Sequence, residues 1–496
     1  MKLIIKGEYE LYKREIELIF NLFKEEDDEI IFNNQSDDKN TINFLYQIKD
    51  GFVQTDVEVN VDEKHFFVSH KRKLTDTNDK TKKKLIKQVI SFVWLQTLER
   101  LTGKKHDWGI LTGIRPTKLY HKLLVQTKSY DKVNEILKRD YLLKQNKILL
   151  LQEIVKRQLS VIPDLYSLKN EVSIYIGIPY CPTKCSYCTF PAYAINRKQG
   201  AVLDFLQALH LEIDLIGKWL KESNKKVTTI YFGGGTPTSL SPNQLNDILK
   251  KLAYWVDFHT VREITVEAGR PDTISKEKLA ILKKWGIKRI SINPQTFSQR
   301  TLDIIGRKHT VEETIEKFML ARKLQINNIN MDLIIGLPGE TLVELINSLN
   351  QIEKLNPESL TIHTLAFKRA SYITKNRGEF EIINRDEIVK MMEYSRNWTK
   401  EHGYSPYYLY RQKNMLGNLE NIGYSKENNE SLYNIISMEE VQTIIGLGSG
   451  AVSKLVPPNS ETTSRIPNPK EPKVYTENVK ELTIKKIKEL NKIFLE

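Results

Sequence analysis

Two hydrophobic periods alternate along this chain. Residues 52–59 alternate apolar and polar positions with period two, and a short apolar run, 66–68, follows a polar turn, which predicts a β-hairpin. Residues 85–101 repeat apolar side chains every three to four positions, placing Leu85, Val89, Phe92 and Leu95 on one face of a predicted helix. From Val172 onward, short β-branched runs alternate with helical stretches. The predicted strands are 172–178, 228–232, 263–267, 289–292, 330–335 and 359–363. Capping boxes open helices between them at Ser241/Gln244, Thr310/Glu313 and Thr341/Glu344. Repeating βα units favour parallel strands with right-handed crossovers. Six of them predict an α/β fold built on a (β/α)6 partial barrel, with reactive groups at the C-terminal strand ends.

Beyond residue 368 the alternation breaks. Here lie a tyrosine cluster at 407–410, a glycine-rich run at 445–453 and a Pro-, Ser- and Asn-rich stretch at 456–472 that predicts a long loop. A final helix is predicted over 479–495, with Leu482, Ile484, Ile487, Leu490 and Ile493 as its apolar set. The expected organisation is an N-terminal α+β accessory domain at 1–165, a barrel core at 171–368 and a C-terminal cap at 369–496.

Composition narrows the class. At 496 residues, 40% hydrophobic and 28% charged, the chain is that of a globular protein. No uncharged apolar run approaches the roughly eighteen residues of a membrane span. The N-terminus, Met1-Lys-Leu-Ile-Ile-Lys, is interrupted by charge too soon for a signal peptide, and three cysteines give no disulfide framework, so a reducing cytoplasm is expected. The net charge of +13 is dispersed, with Lys82–Lys84 at the wet end of a helix, and favours solvated faces over a nucleic-acid surface. Residues 108–118 place Arg115 and Lys118 beside a glycine turn. That turn could bind a carboxylate or phosphate, or could simply pack on Trp108.

The sharpest chemical signal is Cys181, Cys185 and Cys188, spaced C-x3-C-x2-C just after the strand that ends at Pro179, and the only cysteines in the chain. Three thiolates on one loop can hold three irons of a cubane cluster and leave the fourth open. A closed zinc site wants a fourth ligand, and the nearest histidine, His210, lies well along a predicted helix. Gly233-Gly234-Gly235-Thr236-Pro237 ends another strand, where missing Cβ atoms let backbone groups approach a carboxylate or an ammonium.

This cysteine loop followed by the glycine turn resembles the radical S-adenosylmethionine (SAM) superfamily. Within it, the chain resembles the oxygen-independent coproporphyrinogen III oxidase group, and there the HemZ-type branch, from Val172 to the C-terminus. The resemblance implies a [4Fe–4S] cluster on the three cysteines and SAM on its open iron. It implies SAM contacts from Tyr175, Tyr187, Gly234, Gly235, Thr236, Glu267, Gln295, Arg307 and Asp332, with looser apolar contacts from Ile334, Ala366 and Val452. It further implies a 5′-deoxyadenosyl radical that oxidatively decarboxylates two propionates of coproporphyrinogen III to give protoporphyrinogen IX. The partners would then be an anionic tetrapyrrole substrate and an electron donor such as a flavodoxin or ferredoxin. His363, Arg369, Arg411 and the 407–410 tyrosines could hold the tetrapyrrole or serve packing. Gly177 and Tyr180 stand where the family pattern has His and Phe, and Phe190 stands where many members have a further cysteine. Two alternatives follow: a haem-binding chaperone of the same group, and a radical SAM enzyme on another substrate such as RNA. No RNA-binding signature is present in the sequence, so no nucleic-acid partner is expected.

Overall fold

The computed structural model describes residues 2–495 other than 26, 37, 39, 75–77, 114, 191, 196–198, 413–414 and 459–462. The chain divides into two compact units, Met1–Glu153 and Ile154–Glu496, and the division falls inside the helix Gln145–Val161.

The first unit carries β1 (Lys2–Gly7), β2 (Glu29–Phe32), β3 (Thr41–Lys49), β4 (Phe52–Val61) and β5 (Lys64–Lys73) in the order β2-β1-β3-β4-β5. The period-two run forms the β4–β5 hairpin, with Val57 opposite Val68. Its apolar face packs in one core with the helices Lys13–Phe23 and Asp79–Thr102. In the second helix Ile86, Ile90, Val93, Trp94 and Leu98 are buried along with the expected Val89, Phe92 and Leu95, whereas Leu85 is half-buried at the edge. The buried arc is wide because this helix meets both the sheet and the first helix, where Trp94 Nε1 donates to the Ile16 carbonyl at 2.8 Å. Residue 114 of the 108–118 stretch lies outside the described residues. Trp108 is buried, with Lys147 Nζ 5.2 Å from its ring centroid.

The second unit is built on an eleven-stranded sheet. In chain order its strands are β6 (Val172–Ile178), then, in a separate two-stranded ladder, β7 (Tyr180–Cys181) and β8 (Tyr193–Ala194). There follow β9 (Val227–Gly234), β10 (Glu263–Glu267), β11 (Arg289–Ser291), β12 (Asn328–Ile335), β13 (Ser359–Thr364), β14 (Ser405–Tyr410), β15 (Asn421–Ser425), β16 (Thr443–Leu447), β17 (Val452–Leu455) and β18 (Ser464–Pro467). The spatial order is β14-β15-β13-β12-β11-β10-β9-β6-β16-β17-β18. The six predicted strands β6 and β9–β13 run parallel, as βα crossovers require. The described strands of residues 369–496, β14–β18, all join this same sheet. There β15 pairs antiparallel with β13 at one edge, and β16 adds a further parallel strand beside β6 at the other. The 456–472 stretch, expected as a loop, contributes β18, which pairs with β17.

Strand side chains alternate faces, and here the alternation sorts by polarity. Ile174, Ile176, Ile230, Phe232, Val266, Ile290, Met331, Leu333, Leu360 and Ile362 are buried on the outer face. Tyr175, Tyr231, Thr265, Glu267, Ser291, Asn330, Asp332, Thr361 and His363 point the other way and line a cavity.

The last helix is Pro472–Phe494, longer than predicted and turned differently. Its buried face is Tyr475, Val479, Thr483, Lys486 and Leu490, while Ile484 is exposed. The cause is a buried ion pair. Lys486 Nζ sits 2.6 Å from Glu212 Oε1 and donates to the Gly446 carbonyl at 2.5 Å, so a lysine takes a core position and the apolar periodicity misplaces the face.

Candidate functional site

The cysteine loop leaves β6 at the C-terminal end of the parallel sheet, where an α/β barrel places its chemistry. Cys185 is buried, Cys181 and Cys188 are partly so, and Cys188 N donates to the Cys185 carbonyl at 3.1 Å. Burial pushes the Cys181 thiol up to about 11, the neighbouring thiols add to the rise, and Thr236 and Arg270 oppose it. Burial likewise raises Cys188. Thiols held out of water ionise when a metal takes them as thiolates.

The glycine turn abuts this loop for a steric reason. Gly234 has φ +107°, and a Cβ on Gly235 would stand 2.6 Å from the Tyr180 carbonyl oxygen. The Gly235 and Thr236 N–H groups donate to the Ile178 and Tyr180 carbonyls at 2.7 and 2.8 Å. The expected free N–H groups for a ligand are therefore already engaged at these two positions. The glycines let β9 close against the cysteine loop, bringing Thr236 Oγ1 to 3.2 Å from Cys181 Sγ.

Around the cavity the remaining polar groups converge. Tyr231 donates its hydroxyl proton to Glu267 Oε1 at 2.5 Å. Burial lifts the Glu267 carboxyl to about 7, the Tyr231 bond lowers it, and Asp332 raises it further. Asp332 accepts from Asn330 Nδ2 at 2.7 Å and lies 3.5 Å from His363 Nε2. His363 Nδ1 is 3.2 Å from the Tyr410 hydroxyl. Gln295 has φ +69°, uncommon for a side-chain-bearing residue. Its backbone bonds both ways with β12, to the Asp332 carbonyl and from Ile334 N, each at 2.9 Å. That clamp holds its side chain at the cavity wall. Gln295 Oε1, Asn293 Oδ1 and Thr265 Oγ1 are buried there without a protein partner. Buried polar atoms seldom go unpaired, so three of them on one wall fit a polar ligand such as SAM.

Arg307 is buried and braces the site. It donates to the Gly269 and Asn293 carbonyls at 2.7 and 2.9 Å and to the Tyr187 hydroxyl at 3.1 Å. Ile334 and Ala366 are not brought to the cavity. Ile334 packs with Leu302, Ile305 and Tyr187, and Ala366 bridges to Met415. Val452 does line it.

The cavity measures about 560 Å³, within the range of small-molecule sites. One wall is aromatic: Tyr231 stacks on Tyr433 at 4.4 Å and 20° and on Tyr175 at 6.1 Å and 12°, and Tyr408 and Tyr410 lie within 3° of parallel. Of the residues weighed for a tetrapyrrole, His363, Tyr408 and Tyr410 line the cavity, while Tyr407, Arg369 and Arg411 do not. Arg411 is buried, which lowers it to about 10, and donates to Asn418 Oδ1. Tyr231, Tyr433, Thr265, Asn293 and Arg270 went unforeseen. For Tyr231 and Thr265 the signal was the polar residue at every second strand position, whereas Asn293 and Arg270 lie just past strand ends and Tyr433 lies in a helix, where no motif marked them. At Gly177, a Cβ would stand 3.2 Å from both Ala451 Cβ and the Ser449 carbonyl oxygen, so the loop after β16 fills the space of a side chain. Phe190 lies exposed at the rim.

Residues 175–352 match the Radical SAM superfamily. The chain is 57% identical over 420 residues, 84% of its own length and 84% of the relative's, to the oxygen-independent coproporphyrinogen-III oxidase-like protein HemZ of Bacillus subtilis (strain 168). It is 33% identical over 282 residues, 56% of this chain and 70% of the relative, to the heme chaperone HemW of the same organism. Among solved structures it is similar to coproporphyrinogen III oxidase (HemN) from Escherichia coli, with a TM-score of 0.51 and 20% identity, covering 64% of this chain and 72% of that one. That last likeness is one of fold.

Proposed function

Because the chain belongs to the radical SAM family of oxygen-independent coproporphyrinogen-III oxidase-like proteins, whose cofactors are a [4Fe–4S] cluster and SAM, we propose that it oxidatively decarboxylates two propionates of coproporphyrinogen III, giving protoporphyrinogen IX. Each vinyl group forms with loss of one hydrogen atom, one CO2 and one electron, the electron passing to a one-electron acceptor of the flavodoxin or ferredoxin class. When bound, cluster and SAM supply a 5′-deoxyadenosyl radical as the hydrogen-atom acceptor. In this reading Cys181, Cys185 and Cys188 hold three irons. Glu267, Asp332 and Gln295 take the ammonium and hydroxyl groups of SAM, and Arg307 fixes Tyr187 over the cysteine loop. His363 and Tyr410 offer donors to a propionate, and the stacked tyrosines offer a face to the tetrapyrrole. The surrounding walls exclude water from the reacting carbon.

The observation that carries the reading is the single cavity that joins the cysteine loop and two carboxylates to an aromatic wall. No helix among the described residues is long and apolar enough to cross a membrane. We place the reaction in the cytoplasm, with a flavodoxin- or ferredoxin-type electron donor. The test is anaerobic turnover of reconstituted protein with SAM, reductant and coproporphyrinogen III, with porphyrins separated after oxidation. The divinyl product is expected, and unchanged coproporphyrin alongside accumulating 5′-deoxyadenosine refutes the substrate. Phe190 at the rim and the likeness to a heme chaperone favour haem binding as the second reading. A stoichiometric haem complex from a protein inert toward coproporphyrinogen would select it.

A further inference from the structure

Arg270, just past β10, belongs to none of the contacts the family resemblance implies. Its side chain is only 4% exposed, an unusual place for a cation. Asp272 grips one edge of the guanidinium, accepting from Nε at 3.1 Å and Nη2 at 2.9 Å. That bidentate grip fixes the plane and turns Nη1 toward the cysteine loop. There Nη1 donates to Thr183 Oγ1 at 3.1 Å, to the Thr183 carbonyl at 3.4 Å and to Cys185 Sγ at 3.6 Å. Thr236 Oγ1 faces Cys181 Sγ at 3.2 Å. A thiolate ligand can only accept, so both contacts become donations to sulfur once iron is bound.

We propose that Arg270 sets the reduction potential of the cluster held by these cysteines, raising it through a cationic hydrogen bond to the Cys185 sulfur, with Thr236 making a smaller contribution at Cys181. The inference rests on the reading that the three cysteines carry a [4Fe–4S] cluster. Reduction adds one electron, [4Fe–4S]2+ to [4Fe–4S]1+, supplied by a one-electron donor of the flavodoxin or ferredoxin class. The added charge spreads onto the sulfurs, so a cation and N–H donor beside one of them favours the reduced form. Burial keeps water from screening the effect. Arg270 is thus a positioning and tuning residue that makes the cluster easier for a biological reductant to reach.

The full-length protein is reconstituted as wild type, Arg270→Met, Arg270→Lys, Thr236→Val and Thr236→Ser. Iron and sulfide are counted, and each sample is titrated with a graded reductant and redox mediators while the reduced-cluster EPR signal is followed. At the potential that half-reduces wild type, Arg270→Met should show a reduced-to-oxidised ratio about tenfold lower, which is 59 mV for one electron. Arg270→Lys, which keeps charge but loses the fork, should fall between. Thr236→Val should shift less than Arg270→Met, and Thr236→Ser should restore the wild-type value. If Arg270→Met fails to load iron, the Arg270→Lys midpoint decides, and an unchanged value there overturns the proposal. A fully loaded Arg270→Met with the wild-type midpoint overturns it as well. A wild-type protein that holds no four-iron cluster fails at the iron count, before any titration, and overturns the underlying reading too.

Discussion

Lys486 is the residue whose loss should be felt most sharply outside the cavity. Both it and Glu212 are fully buried. Without the lysine, Glu212 keeps only neutral donors: Gly448 N at 2.7 Å, the Tyr475 hydroxyl at 2.7 Å and Asn468 Nδ2 at 3.1 Å. Removing one partner of a buried pair leaves an uncompensated charge and costs about 3–5 kcal/mol. At about 1.4 kcal/mol per decade, that is between roughly a hundredfold and a few thousandfold in the opening equilibrium. The pair ties the helix Pro472–Phe494 to the helix Gln199–Glu222 and to the loop after β16, so the opening should be local first. Hydrogen exchange by mass spectrometry reads it directly. In Lys486→Met, protection of the 472–494 and 446–450 peptides should fall by that factor, while the β3–β5 strands of the first unit keep theirs as an internal reference. The double variant Glu212→Gln/Lys486→Met should recover much of the loss, because no bare charge remains. Unchanged protection in the single variant, or a double variant worse than the single, would refute the reasoning.

Other consequences are equally specific. Cys185→Ala should drop iron from about four per chain to near none after reconstitution, read by iron analysis and visible absorbance, and a fully loaded variant would refute the ligand assignment. Burial raises the carboxyls of Glu267 and Glu340 from 4.5 to about 7. Folded protein therefore binds more protons than unfolded across that window, and stability is full below pH 4.5 and declines as pH rises through about 7. Urea midpoints against pH should show the decline, and Glu340→Gln should flatten it. The ionised Glu267 is the form that attracts an ammonium, so SAM affinity should tighten as pH rises through about 7, and isothermal titration of Glu267→Gln should lose that dependence. Gly177→His must displace Ala451 and Ser449, an overpacking worth about 1–3 kcal/mol. It should lower the thermal midpoint, and an unchanged midpoint would show that the loop yields freely.

The parallel strands were legible because they are short apolar runs, and β9–β12 are followed by helices with side-chain caps at Ser241, Ser275, Ser298 and Thr341, signals that are local. The cysteine loop, Thr236 and Glu267 sit at or just past strand ends, and Asp332 lies within β12 on the cavity side of the alternation, so position in the unit predicts position in space. β16 was not legible: Ile444, Ile445 and Leu447 lead into glycines that suggest a loop, and only pairing with β6, far away in sequence, makes them a strand. β1 and β2 escaped notice because they are short and joined through a helix rather than a tight turn. Lys486 misled the helix pattern because its partner, Glu212, lies on a distant helix, and no periodicity reveals a tertiary ion pair. Gly235 and Thr236 stand beside the cysteine loop, but their N–H groups bond to Ile178 and Tyr180, which only the folded register determines.

The central claim is that a hydrogen atom leaves the propionate β-carbon of a coproporphyrinogen bound in the cavity beside the cysteine loop. Its most direct test is anaerobic turnover of coproporphyrinogen III deuterated at those carbons, with mass analysis of the 5′-deoxyadenosine formed. Deuterium in the 5′-deoxyadenosine, together with protoporphyrin recovered after oxidation, is the predicted result. Undeuterated 5′-deoxyadenosine with the substrate returned intact would contradict it.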